Sequence, residues 1–209
     1  MATNVGAGSI YKLKIAEDVT LEQPSVNYDY LEYLLVGLHA GYPKKRSLLK
    51  FEDIPRGDGP INYAMMYLYY QYSHKASFYS VYQAPHITRT IQAHRVLKSW
   101  RETEATSSKR DHRGVWGTEW LGLDDIDAKS QPTGQTTIRA GRPSGFVEID
   151  ITSVVREWNA GYPNYGLLIW ATNEDQEGRD IRFASKSDTD VSKHPYIIMN
   201  CFSTETNPA

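Results

Sequence analysis

Apolar and polar positions alternate along most of this chain in short stretches that end in clusters of Gly, Pro, Asn and Asp. Short stretches of this kind, rich in β-branched and aromatic side chains, are typical of strands in an all-β sandwich or barrel. The pattern predicts ten strands, at residues 10–16, 33–38, 46–52, 61–72, 77–81, 92–96, 145–151, 166–171, 181–184 and 196–201.

The clearest alternation lies in residues 64–71. Successive side chains of a strand point to opposite faces, so every second residue belongs to one face. One face, which we expect to be buried, carries Ala64, Met66, Leu68 and Tyr70. The opposite face carries Met65, Tyr67, Tyr69 and Gln71, so it is predicted to display a stripe of tyrosine.

One short helix is predicted over residues 152–159. Thr152 suits the N-cap position, and Gly161 suits the C-terminal stop. Val154, Val155 and Trp158 fall on one face of such a helix. Residues 96–101 are a candidate for a second turn. The expected fold is therefore an all-β, jelly-roll-like antiparallel β-sandwich with one short helix.

A chain of 209 residues fits one compact domain. We expect this domain to span residues 10–203 and to include a long polar loop, 101–142, anchored by Trp116 and Trp120. A loop of this length is either functional or disordered, and the two tryptophans favour the first. Residues 1–9 are expected to be a disordered N-terminal segment or a remnant of cloning, and residues 204–209 a tail.

Charge and composition exclude several classes of protein. Lys and Arg total 23 against 25 Asp and Glu, with no block of like charge, so nucleic acid is not an expected partner. No apolar run approaches the roughly 20 residues of a membrane-spanning helix, so no membrane insertion is expected. The single Cys201 excludes an intrachain disulfide and is expected to be a small buried side chain.

Motifs spread along nearly the whole chain resemble those of the disaggregatase-related (DNRLRE) domain family. Their order is collinear with the family pattern, and they comprise DVTL at 18–21, PSVNY at 24–28, YLLVG at 33–37, RSLLKF at 46–51, AMMYLY at 64–69, VLKSW at 96–100, NYGLLI at 164–169 and FAS at 183–185. The resemblance implies a jelly-roll-like, carbohydrate-binding-module-like domain found beside polysaccharide-active and extracellular modules. It also implies that Trp100, Trp120 and Trp158 are core anchors.

Aromatic composition suggests where a ligand would bind. Fifteen Tyr and five Trp accompany only five Phe, so most rings have a polar edge suited to half-wetted surfaces. Sugars stack on such rings and pair their hydroxyl groups with polar side chains. The candidate glycan-binding residues are Tyr67, Tyr69, Tyr79, Tyr82, Arg89, Arg95 and Trp116, with Arg46 and Lys50 as further candidate cations. The alternative is that the tyrosines pack within the sandwich or beneath loop 101–142.

Candidate metal ligands are fewer. Asp18 is a candidate ligand for a structural calcium ion, although no cofactor is expected to be required. The acidic clusters at 124–127 and 188–190 contain oxygen ligands but do not match an EF-hand loop. For all three places the alternative is a solvated loop or a carboxylate that caps backbone N–H groups.

No catalytic motif is found, because the six His residues are scattered and the phosphate-binding and nucleophile-elbow motifs are absent. We therefore predict a non-catalytic, extracellular polysaccharide-binding module, whose glycan could be acidic. It would be secreted, although the N-terminus lacks a signal-peptide pattern. The alternative is a structural or adhesive matrix protein that binds protein, mineral or calcium and could self-associate. A polysaccharide-active enzyme is the disfavoured third hypothesis.

Overall fold

The protein is described from a computed structural model, which covers residues 8–38, 43–55, 59–71, 88–175 and 180–202. These residues form twelve strands and one α-helix, and a short 3₁₀ turn at Val191–Lys193 precedes the last strand. In chain order the elements are β1 (Ile10–Leu21), β2 (Tyr33–Val36), β3 (Arg46–Phe51), β4 (Ile61–Tyr70), β5 (Arg89–Arg95), β6 (Lys109–Asp111), β7 (Gly114–Val115), β8 (Gly134–Ile138), β9 (Gly145–Asp150), α1 (Thr152–Asn159), β10 (Leu167–Ala171), β11 (Ile181–Ala184) and β12 (Tyr196–Cys201).

The long strand β1 connects two antiparallel layers. Its first half, from Ile10 to Lys14, pairs with β12, and its second half, from Ile15 to Leu21, pairs with β3 after a bulge between Ile15 and Glu17. The first sheet runs β9–β4–β12–β1, with β11 and β2 continuing beside β4. The second sheet runs β1–β3–β10–β5–β8. The predicted class, an all-β antiparallel sandwich, is confirmed.

The main core lies between the two sheets, and β4 shows how the sequence builds it. From residue 64 onward its buried side chains are Ala64, Met66, Leu68 and Tyr70, each at most 3% exposed. The side chains between them, including Tyr67 and Tyr69, are half-buried on the other face. The predicted alternation is confirmed, and removing one large side chain of the inner set from water stabilises the fold by about 1.5–3 kcal/mol.

Helix α1 closes one end of the sandwich and has the predicted bounds. Gly161 adopts φ +99° and donates its N–H to the Trp158 carbonyl oxygen. The Tyr162 N–H donates to the Glu157 carbonyl oxygen. These two bonds form a Schellman motif, so the predicted C-terminal stop is confirmed.

The prediction that Thr152 is the N-cap is wrong, because Thr152 is the first helical residue and Ile151 occupies the cap position. The Thr152 N–H and hydroxyl both donate to Asp150 Oδ1, at 2.9 and 2.6 Å. The Thr152 hydroxyl oxygen also accepts the N–H of Ala64 at 2.9 Å and so ties the helix to β4.

The segment predicted as a long polar loop is structured where it crosses the second sheet. It contains the β6–β7 ribbon and the edge strand β8, which pairs with β5. Residues 96–128 pack on the outer side of β1, β3 and β10 and enclose a second apolar cluster that includes Trp100, Trp116 and Leu121. Residues 96–101 form no helix. In the described part of the chain, no helix is long and apolar enough to cross a membrane.

Candidate functional site

The outward side of the first sheet carries the predicted tyrosine stripe. Directly opposed residues of an antiparallel pair share one face. Tyr67 of β4 lies opposite Tyr196 of β12 and Glu148 of β9, and Tyr69 lies opposite Phe146. Strand order therefore brings four aromatic rings from three strands onto one surface, which we call the tyrosine face: Tyr67, Tyr69, Phe146 and Tyr196.

The four rings contact one another. Tyr67 and Tyr196 are stacked with centroids 4.8 Å apart and planes inclined by 12°. Phe146 meets Tyr69 and Tyr196 edge-on, at 5.1 and 5.5 Å. Each ring is half-buried, so each is held by its neighbours while part of its surface remains in contact with water.

Ammonium groups flank the tyrosine face on two sides. Lys12 of β1 places Nζ 4.0 Å from the centroid of Tyr196, and Lys193 places Nζ 5.6 Å from that of Tyr69. Lys193 also forms an ion pair with Asp190 at 2.9 Å. For Lys12, no carboxylate among the described residues lies within 4.0 Å of Nζ. The face thus offers aromatic surface between two positive charges.

The phenol groups of Tyr67 and Tyr196 stay protonated at neutral pH. Burial, and next the Glu148 carboxylate, raise the pKa of Tyr67 above its usual value of 10.0. The same two causes raise the pKa of Tyr196. Each phenol therefore keeps a donor hydrogen and an acceptor oxygen for a ligand hydroxyl group.

The other predicted glycan contacts lie elsewhere. Tyr79 and Tyr82 fall outside the described residues. Arg89 and Arg95 belong to β5 of the second sheet, where Arg89 is fully buried and donates through Nη1 to the carbonyl oxygen of Asn173 at 2.8 Å. Arg95 pairs with Glu157 of α1. The structure does not bring either arginine to the tyrosine face.

Three further predicted ligand contacts, Trp116, Arg46 and Lys50, also lie away from the tyrosine face. The Trp116 ring is 3% exposed within the second apolar cluster, and its Nε1–H donates to the Thr106 carbonyl oxygen at 2.9 Å. Arg46 is buried and binds both carboxylate oxygens of Glu174, at 2.6 and 2.9 Å. Lys50 pairs with Glu17 at 2.7 Å. Trp100 and Trp158 are buried, each 5% exposed, and Trp120 is half-buried.

Asp18 is buried and binds backbone groups. Its Oδ2 accepts the N–H of Lys186 at 2.7 Å, and its own N–H donates to Glu102 Oε1 at 2.9 Å. Burial is the main cause that raises the pKa of Asp18 to about 7. Within the described ranges, no group of three His, Cys, Asp or Glu side chains is arranged to hold a metal ion. Calcium binding at Asp18 stays a prediction.

The other two acidic clusters bind backbone N–H groups of their own turns. Asp124 Oδ1 accepts the N–H of Ile126 at 3.0 Å, and Asp190 Oδ1 accepts that of Ser192 at 3.1 Å. Both therefore perform the capping role that was the alternative to metal binding.

Half of the aromatic cluster, Phe146 and Tyr196, and both of its cations were not predicted from the sequence. Phe146 and Tyr196 lie in strands that the pattern predicted, and each occupies a position of the outward-facing period. The missing information was strand order, because only the pairing of β9 and β12 with β4 places these rings beside Tyr67 and Tyr69. Strand order also places the two lysines, because Lys12 lies in β1, which pairs with β12, and Lys193 lies in the turn that precedes β12.

Comparison with known proteins leaves the family open. A scan against models of known protein families finds no match, and a search of curated proteins finds none that is significantly similar. The resemblance to the disaggregatase-related domain therefore stays a prediction from motifs.

Proposed function

We propose that this protein is a non-catalytic, extracellular carbohydrate-binding module that holds a polysaccharide chain on the tyrosine face. One observation carries the proposal. Four half-buried rings from three neighbouring strands form a continuous surface, and Lys12 and Lys193 flank it.

The chemistry of this surface suits a sugar chain. Pyranose rings present C–H groups that pack on aromatic faces, and the aromatic rings bring a large apolar surface to such a contact. The protonated phenols of Tyr67 and Tyr196 can exchange hydrogen bonds with hydroxyl groups. Because the four rings already constrain one another, little conformational freedom is lost when a ligand binds.

The flanking lysines favour a polysaccharide with acidic groups. Lys12 has its ammonium group over the Tyr196 ring, and Lys14 lies opposite Tyr196 in the register of β1 and β12. A uronate or sulfate group at this edge would pair with these charges. Glu148 and Asp150 occupy the β9 edge, so we expect the acidic groups to lie toward β1.

The test is retention of the purified protein by insoluble and gel-immobilised polysaccharides, acidic and neutral, with calcium and with chelator. Tyr67→Ala combined with Tyr69→Ala should weaken retention at least tenfold, because two stacking surfaces are lost. Tyr30→Ala, which removes an exposed tyrosine that lies outside the face, is the matched control and should bind normally.

The unfolding midpoint decides how a loss of retention is interpreted. The double variant should keep its cooperative unfolding, since both side chains are half-buried. Retention unchanged in a folded double variant would overturn the proposed site. If the wild-type protein is retained by no polysaccharide and shows calcium-dependent self-association in light scattering, the hypothesis of a structural matrix protein is favoured instead. Release of reducing ends would favour an enzyme.

A further inference from the structure

The outward side of the second sheet is only partly covered. Residues 96–128 pack over β1, β3 and the first part of β10, where Val19, Leu21, Leu48 and Leu168 point outward. The rest of this side, on the end of β10 and on β5 and β8, carries a set of outward side chains that we call the polar strip. Its members are Thr90, Gln92, Gln135, Thr137, Trp170 and Thr172.

The register aligns these side chains in rows. Trp170 lies opposite Gln92, which lies opposite Gln135, and in the next row Thr90 lies opposite Thr137. Gln135 and Thr137 are exposed, and Gln92 and Trp170 are partly exposed. One row therefore presents an indole ring followed by two amide groups across about 10 Å of sheet, two strand spacings.

A hydrogen-bond chain holds the amides in place. The Gln92 and Gln135 amides are joined at 2.9 Å, and the far side of the Gln92 amide lies 3.3 Å from His94 Nε2. His94 Nδ1 is 2.8 Å from the Lys129 carbonyl oxygen. The His94 ring, 1% exposed, also meets the Trp170 ring edge-on at 5.7 Å. One buried histidine thus orients both the indole and the first amide.

The Gln92 amide sets the direction of this chain. Its NH₂ group donates to Gln135 Oε1 at 2.9 Å, and its oxygen faces His94 Nε2. The NH₂ group of the exposed Gln135 is therefore left to donate to an external acceptor.

None of the six side chains of the strip carries a formal charge. The charged group beside Trp170 is the Glu174 carboxylate, which is paired with the buried Arg46, while Lys44 lies 3.5 Å from the same carboxylate. A ligand of this strip therefore gains no ion pair and must bind through hydroxyl hydrogen bonds and ring stacking.

We propose that the polar strip is a second glycan-binding site, which takes an uncharged, hydroxylated polysaccharide chain. The Trp170 ring supplies stacking surface, the Gln135 NH₂ group donates to a sugar hydroxyl oxygen, and the threonine hydroxyls line the neighbouring row. This inference extends the proposed function, because it gives the domain sites on the outward sides of both sheets.

The test is affinity electrophoresis in gels that contain a soluble neutral polysaccharide (galactomannan, mixed-linkage β-glucan or dextran) or, separately, polygalacturonate. We expect Gln92→Ala combined with Gln135→Ala to weaken binding to a retained neutral polysaccharide at least tenfold. Binding to polygalacturonate should not change. Gln131→Ala, at an exposed glutamine just before β8, is the matched control. Thr137→Glu places a charge on the strip at an exposed position and should weaken neutral binding without affecting folding.

The outcomes separate this inference from the proposed function. Loss of neutral binding in the Tyr67→Ala, Tyr69→Ala variant, with full binding by the strip variants, would assign neutral glycans to the tyrosine face and overturn the second site. Absence of neutral binding by the wild-type protein would also overturn it, while retention by polygalacturonate would leave the proposed function standing. Absence of binding in every gel would overturn both.

Discussion

At the scale of single residues, Asp18 is a buried carboxyl group whose ionisation affects the stability of the fold. Two neighbouring ion pairs, Lys50 with Glu17 and Lys186 with Glu102, balance their own charges. An ionised Asp18, which is itself buried, would add an uncompensated negative charge beside these half-buried pairs. Burial accordingly raises the pKa of Asp18 from 3.8 to about 7 in the folded protein.

Replacing Asp18 by Asn should therefore change the pH dependence of stability. A carboxyl group with a raised folded-state pKa stabilises the fold fully below its unfolded pKa and loses that contribution as the pH rises through the folded value. For Asp18 the loss occurs between about pH 4 and 7. An asparagine oxygen can still accept the Lys186 N–H, so Asp18→Asn should be the more stable form at pH 8, by about 1–4 kcal/mol.

Urea denaturation at several pH values from 4 to 8 measures this difference. Asp53→Asn, at an exposed carboxylate, is the control and should follow the wild-type protein. A difference between Asp18→Asn and wild type that does not grow with pH would contradict the assignment of a buried, protonated Asp18.

At the scale of secondary-structure elements, adjacent residues of β4 point alternately into the core and toward the surface. Met66 is fully buried between the sheets, and Met65 is half-buried on the outward side. Met66→Ala should lower the free energy of unfolding by about 2–5 kcal/mol because it leaves a cavity. Met65→Ala should lower it by about 1 kcal/mol or less. Denaturant midpoints measure both, and equal losses would show that β4 is buried on both faces.

The strands that the sequence predicted best have strong apolar patterns. The bounds of β11, β12 and α1 match the predictions, because apolar periodicity and the Gly161 stop mark them. Strand β8 was not predicted, because its sequence, GQTTI at 134–138, has only one apolar residue. Its pairing with β5 makes this segment a strand. Local pattern therefore predicts which segments are strands, whereas long-range pairing decides which side chains meet.

The same distinction applies to the candidate sites. The tyrosine stripe on β4 follows from period two alone, but its partners on β9 and β12 depend on sheet order. For Trp116 the local pattern was misleading, because the polar, glycine-containing sequence around it suggested an exposed loop. The structure instead buries its ring in the second apolar cluster, which also contains Leu48 and Leu168 of the second sheet.

At the scale of the whole molecule, two apolar clusters share the second sheet. Leu49 and Leu167 point into the main core, and Leu48 and Leu168 point into the outer cluster. The outer cluster is closed by residues 96–128, which contain only the short β6–β7 ribbon as regular pairing of their own. Surface segments with little regular secondary structure open at lower free energy than central strands. The covering segment is therefore expected to open before the sandwich does.

Trp116→Ala tests this order of stability. Loss of a buried tryptophan costs about 3–5 kcal/mol, and here the cost falls on the segment that Trp116 anchors through its ring and through the Nε1–H bond to Thr106. Trypsin should cut the variant rapidly after the exposed Arg113, and amide hydrogens of residues 105–121 should exchange quickly, while β4 and β12 stay protected. Trp158→Ala, in the main core, is the contrasting variant and should lower protection throughout both sheets. Uniform loss of protection in Trp116→Ala would instead show that the two clusters unfold as one unit, with the covering segment an inseparable part of the sandwich.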